Sequence, residues 1–413
     1  MSDPAAIRAW SWVAHLRDGG STPWTGWSAP VDGPDGPDSP GGPASTGPRV
    51  LTGAQQLELL RRVNAAGDLP VAARDRVLLA SGLDRGRADL PLPGGPRGRF
   101  GPLPLDPADV PTEELLRVAV LLLADALPGA PVTRPTTVPP TRTSRLRRAA
   151  GGGYRVAGDQ WLADRVREEL RRRGRPPGGR RPRVLVLGGS VPDLLARTWA
   201  HRVLHEGAPA WPDWVAARAG GALPPGADVA GQADAWASRV GAARVVVVTD
   251  PAALGRLTGV RRLDPGTALG PWGARGPGGD AVELTRRVRV ALAVVAPPHE
   301  HATLLRERFL PALAAQAARP ASSALVTGPL PRVPAEHAEW AARRAVRQRR
   351  RVLRAGYAVA GDVDDLLPGR PGVAPDPPGR DVPDPERVLE IAVSLLAQGL
   401  VPGHGSDHGG QQA

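Results

Sequence analysis

The sequence predicts an α/β fold, with a parallel sheet and flanking helices in the C-terminal half and a mainly helical N-terminal half. Two continuous apolar runs carry the sheet: "VLVL" in "PRVLVLGGSVPDLLARTWAHRVLHEG" and "VVVV" in "AARVVVVTDP", Ala242–Pro251. Runs without polar alternation are typical of strands buried on both faces of a parallel sheet. Helical patterns separate them. The longest, "PAEHAEWAARRAVRQRRRVLRAG", leads into the short strand of "YAVAGD".

Taken in order, residues 1–27 read as a helix and a Trp-rich turn. Residues 28–48, "SAPVDGPDGPDSPGGPASTGP", have nothing to bury and are expected to be a disordered linker. A helical module follows over 49–165. Its first helix is "LTGAQQLELLRRVNAAG", with Thr52 as N-cap and Gly67 as stop. Its strongest is "PTEELLRVAVLLLADALPG", with Thr112 as cap. Pro and Thr make 128–144 a second linker. A short strand around Tyr154–Val156 and the helix "WLADRVREELRRRG" come next, with 166–183 assigned to an Arg-rich linker. The α/β domain covers 184–370, a linker 371–383, a terminal helix behind Asp384 covers 384–402, and 403–413 is a disordered tail.

Composition narrows the chemistry. The net charge is +12, and all 53 basic residues are arginine. Without lysine there is no Schiff-base chemistry and no P-loop lysine. Without cysteine there are no disulfides, thiolate nucleophiles or cysteine metal sites, which fits a cytoplasmic protein. No apolar run reaches 18 residues, so no membrane span is expected, and "MSDPAAIRAWSWVAHLRDGG" does not read as a signal peptide. The arginine excess is read first as composition bias, with polyanion binding as the alternative.

The chain also echoes itself. Both of its tyrosines lie in one phrase, Tyr154 in "GYRVAGD" and Tyr357 in "GYAVAGD". "WVAHLRDGGSTPWTGW" lies on "WAHRVLHEGAPAWPDW" without a gap, so that Trp12, Gly20, Trp24 and Trp27 fall on Trp199, Gly207, Trp211 and Trp214. "LELLRRVNAA" resembles "VELTRRVRVA", Val282–Ala291. The order is the same in both halves, and an internal duplication is expected.

Residues 183–215 and 334–368, with the late segment "VPAEHAEWAARRAVRQRRRVLRAGYAVAGDVDDLLP" as the most specific part, resemble actinobacterial sulfotransferase-like proteins. "ELLRRVN", Glu58–Asn64, resembles a helix of the same group. The resemblance implies descent from enzymes that use 3′-phosphoadenosine 5′-phosphosulfate. The family's lysine-bearing phosphosulfate loop has no counterpart in this sequence. On "VLVLGGSVPDLLARTW", Gly189 stands where the family has an arginine and Arg197 where it has a serine.

Among candidate site residues, Gly188, Gly189 and Ser190 follow a strand and open a helix, a setting in which backbone amides hold anions, with Arg197 closing over them. His201 and His205 stand at i, i+4, a metal-compatible spacing, but no His-Glu-x-x-His pattern accompanies them, and no metal is expected. His299 and His301 flank Glu300, where a histidine suits a general base. Asp362, Asp364 and Asp365 sit at the C-terminal end of a strand, where ligands bind open α/β sheets; capping of a helix starting near Leu366 is the preferred reading, because it alone explains the placement. The Trp24/Trp27 and Trp211/Trp214 pairs suit either sugar stacking or core packing. Arg171–Arg173 and Arg347 with Arg349–Arg351 are the densest basic runs.

The expected function is a catalytically degenerate sulfotransferase-like binding or accessory protein, linked to cell-surface glycan or metabolite sulfation. No cofactor is expected, and the partner is an unidentified protein or glycan-pathway enzyme rather than nucleic acid. The alternatives are an active transferase with an altered anion site and a polyanion-binding module.

Overall fold

The computed structural model describes residues 4–28, 53–67, 69–80, 90–93, 102–130, 153–175, 177–260, 276–369 and 380–398. Thr52 and most of the segments 28–48, 128–144, 371–383 and 403–413 lie outside the described residues. In chain order the helices and strands are α1 (Pro4–Arg17), α2 (Trp24–Ser28), α3 (Ala54–Ala66), α4 (Val71–Leu79), α5 (Thr112–Ala126), β1 (Tyr154–Gly158), α6 (Gln160–Arg172) and β2 (Arg183–Leu187). Then come α7 (Val191–His205), α8 (Trp211–Ala219), α9 (Val229–Val240), β3 (Val245–Val248), α10 (Leu254–Thr258) and α11 (Gly279–Val295). The last are α12 (Pro298–Leu304), α13 (Leu310–Ala317), α14 (Pro320–Val326), α15 (Ala335–Arg354), β4 (Ala358–Ala360) and α16 (Pro385–Ala397).

The chain divides into two compact units. The first takes 1–132, 287–312 and 385–413, and the second 133–286 and 313–384. The first is helical, with α3, α5 and α16 packed on one another. Leu57, Leu60, Leu115, Leu116, Leu389 and Ile391 are fully buried there. Arg62 of α3 pairs with Glu386 of α16 at 2.5 Å, and Arg287 of α11 pairs with Glu113 of α5 at 2.5 Å. Thr112 does not cap α5. It is the first helical residue behind Pro111, and its hydroxyl donates to Glu386 at 2.8 Å. A Pro-X start leaves no side chain in the capping position, so the threonine is free to reach another helix.

The second unit holds the predicted sheet. All four strands are parallel in the order β1-β2-β3-β4, with Val186 level with Ala157 on one side and Val247 on the other. Val184, Val186, Val245 and Val247 face a core built with Leu195 and Trp199 of α7, Ala233 of α9 and Ala345 and Val352 of α15. Leu185, Leu187, Val246 and Val248 face a second core with Ala163, Val166 and Leu170 of α6 and Leu254 of α10. This two-sided burial explains why neither inner strand alternates in sequence. Residues 166–172, assigned above to a linker, are the second half of α6; Ala163, Val166 and Leu170 recur at helical spacing beneath an arginine-rich outer face.

The tyrosine phrase forms the two edges of this sheet. Gly158 and Gly361 both have left-handed φ, 92° and 114°. A Cβ on Gly158 would fall 2.1 Å from Leu187 O, and one on Gly361 2.3 Å from Thr249 Oγ1, so each glycine lets its edge strand close onto the inner neighbour. Asp159 and Asp362 then cap the next helical turn in the same way.

The tryptophan phrase also repeats its geometry, once in each unit. Trp12 donates to Thr22 O at 3.0 Å and Trp199 to Pro209 O at 3.1 Å. Trp12 meets Trp24 edge-on at 5.2 Å and 62°, and Trp199 meets Trp211 at 5.5 Å and 60°. The turn bonds Gly20 N–H to His15 O and Gly207 N–H to Arg202 O correspond as well. The sugar-stacking option fails for Trp24, Trp211 and Trp214, which are 6%, 0% and 1% exposed; Trp27 lies against the His15 ring at 4.7 Å.

Candidate functional site at the ends of β1 and β2

Every strand of the sheet ends in a polar cap. Asp159 accepts from Leu162 N–H after β1, Ser190 from Asp193 N–H after β2, Asp250 from Ala252 N–H after β3, and Asp362 from Asp364 N–H after β4. Asp362 and Asp365 form a capping box around the 3₁₀ turn Val363–Leu366, and Asp364 pairs with Arg349. The helical turn therefore starts at Val363 and ends at Leu366, rather than starting there. The carboxylates are arranged for backbone capping, as one of the two sequence readings had it.

The strand order does not reverse, but the faces do. The chain leaves β1 into α6, which packs on one side of the sheet, and leaves β2 into α7, which packs on the other. In open α/β sheets, strand ends whose connections diverge in this way are the place where ligands bind. Asp159, 2% exposed, follows β1 there and accepts from Arg197 of α7 at 3.0 Å. Arg165 of α6 stacks over Trp161 at 4.2 Å, and the chain at Gly276, φ 77°, passes directly over that pair. Burial lowers the Arg165 pKa to about 10, with Arg197 adding to the shift and Asp159 opposing it.

The Gly188–Ser190 turn is occupied from within the chain. Gly188 donates its N–H to Val248 O at 2.8 Å, and a Cβ at this position would meet the Val229 and Leu366 side chains at 3.3 Å. The Ser190 hydroxyl donates to the Asp193 carboxylate at 2.6 Å, while Asp193 N–H points back at Ser190 Oγ at 3.4 Å. An acidic group thus already stands in the first turn of α7, where the helix dipole favours negative charge. Arg197, expected to close over an anion at this turn, is instead joined to Asp159.

His201 and His205 do come together, their rings 4.5 Å apart, and His201 Nε2 lies 3.1 Å from Asp164 Oδ2. That hydrogen bond is the main reason the Asp164 pKa is lowered. Among the described residues no three His, Asp or Glu side chains converge as metal ligands. His301 hydrogen-bonds Ala296 O and His299 is 3.7 Å from Glu300. Sequence reasoning missed Asp159, Trp161 and Arg165. The repeat contained the signal for Asp159, because "VAGD" after Tyr154 matches "VAGD" after Tyr357. Among the described residues no helix is long and apolar enough to cross a membrane. No family model, curated protein or solved structure matches the chain.

Proposed function

We propose that this chain is a binding or accessory protein, of sulfotransferase-like descent, that transfers no sulfuryl group and serves sulfation of a cell-surface glycan or metabolite through a protein partner. One observation carries the reading: Ser190 and Arg197, the two side chains offered to an anion at the β2 turn, are engaged by Asp193 and Asp159. A donor phosphate placed there meets a carboxylate at the helix N-terminus and competes with a buried one for its arginine. Both interactions oppose binding of a dianion. The recurring tyrosine and tryptophan geometries support the further reading of two related modules in one chain.

A thermal-shift titration with adenosine 3′,5′-bisphosphate, with AMP as control, tests this. A ligand selective for the folded state raises Tm once its concentration passes Kd. The expected result is no saturable rise at millimolar bisphosphate. A saturable rise that is specific to the bisphosphate and lost in Arg197→Ala overturns the reading in favour of an active donor site.

A further inference from the structure

We propose that the arginine-lined groove between α9 and α15 binds a short run of condensed phosphates, such as a tripolyphosphate. The groove has a volume of about 560 Å³ and is lined by Asp234, Arg347, Arg350, Arg351, Arg354 and Ala355. The four arginines stand at i, i+3, i+4 and i+7, so they share one face of α15 and span roughly 10 Å along it at 1.5 Å per residue. The volume falls within the range of small-molecule sites.

Charge balance identifies the occupant. Among the described residues that line the groove the one carboxylate, Asp234, is held by Arg351 at 2.5 Å and by the Tyr357 hydroxyl at 2.5 Å. Arg347, Arg350 and Arg354 are exposed and make no hydrogen bond or ion pair with any described residue. The negative end of the α15 dipole accounts for cations in the last turn, Arg351 and Arg354, but its influence has faded at Arg347 and Arg350. The described residues of the lining offer no aromatic ring for a base to stack on, and the nearby Tyr357 hydroxyl is tied to Asp234. It therefore suits a ligand that is dense in charge and poor in apolar surface. Guanidinium forks match phosphate oxygens in bidentate fashion. This site is separate from the β2 turn, and its test uses different residues.

The test is a calorimetric and thermal-shift titration of the full chain with sodium tripolyphosphate. Orthophosphate and a short single-stranded oligonucleotide are titrated in parallel at physiological salt. Tripolyphosphate is expected to bind saturably and more tightly than either comparator. Arg347→Gln with Arg350→Gln should raise its Kd by about tenfold or more, while Arg171→Gln with Arg172→Gln on α6 leaves it unchanged. These are exposed positions, and an unchanged Tm without ligand verifies that both variants fold. Three results overturn the proposal: no saturable binding at millimolar tripolyphosphate, equal loss in the α6 variant, or tighter binding of the oligonucleotide.

Discussion

Helices α6 and α15 look alike in sequence: each is amphipathic, and each carries a run of arginines near its C-terminus. Their charges meet different fates. On α6, Arg171 pairs with Glu168, and Arg172 and Arg173 both pair with Glu169, which is only 5% exposed. On α15, seven arginines face two glutamates of the same helix, and three of the arginines point to solvent with no described partner. The density of a basic run thus says little about the field it presents. What matters is whether acids stand three or four residues earlier on the same face.

The two helices also start differently. Asp159 caps α6 with its side chain, whereas α15 begins behind Pro334 with no side-chain cap. The largest effect is accordingly expected from Asp159→Ala, which removes a cap and the buried partner of Arg197. It should cost about 2 kcal/mol in urea unfolding, and a cost below about 0.5 kcal/mol would mean that solvent satisfies both groups. Glu169→Gln ranks next. It strips the buried anchor from two α6 arginines and should cost about 1–2 kcal/mol, whereas Glu339→Gln, whose pairing with Arg343 is exposed, should stay within about 0.5 kcal/mol. Equal costs for the two would remove the distinction between the helices.

A smaller effect is expected from Arg350→Gln. Relieving repulsion among unpaired arginines should leave stability unchanged or raise it by up to about 0.5 kcal/mol; a clear loss would show that Arg350 holds the fold. The smallest effect concerns pH. Asp164 has its folded pKa lowered below 3.8, first by the His201 hydrogen bond. A carboxylate depressed on folding stabilises at pH values above its unfolded pKa, and that contribution disappears as pH falls through the folded pKa. Asp164→Asn should therefore lower stability slightly in the neutral region, converge on wild type as pH falls below about 4, and so flatten the acid limb of the stability curve. An unchanged acid limb would show that the bond does not form in solution.

Much of the fold was legible in the residues. The inner strands announced themselves as "VLVL" and "VVVV" because burial on both faces leaves no room for alternation. The edge strands, too short to call by periodicity, were visible through the repeated tyrosine phrase, whose glycines are needed for close backbone approach. The helix "WLADRVREELRRRG" was legible in its apolar spacing, but its arginine-rich second half, 166–172, was grouped with the linker that follows it. The start at Val363 was missed because a 3₁₀ turn of four residues has no hydrophobic period to read.

The candidate sites were less legible. The sequence placed the turn Gly188–Ser190 between β2 and α7, since apolar run, glycines and cap follow one another locally. It left open that Arg197 meets Asp159, 38 residues earlier, and that Asp234 neutralises Arg351 across 117 positions, because such pairs exist only once separate helices pack on a sheet. By itself, then, the sequence determined the class of fold, the positions of its inner strands and the recurrence of its turns, all of which depend on local pattern and side-chain burial. Which arginines are neutralised, and which remain to attract an anion, was decided only by the tertiary structure, because charge pairing falls off with distance in space and takes no account of distance along the chain.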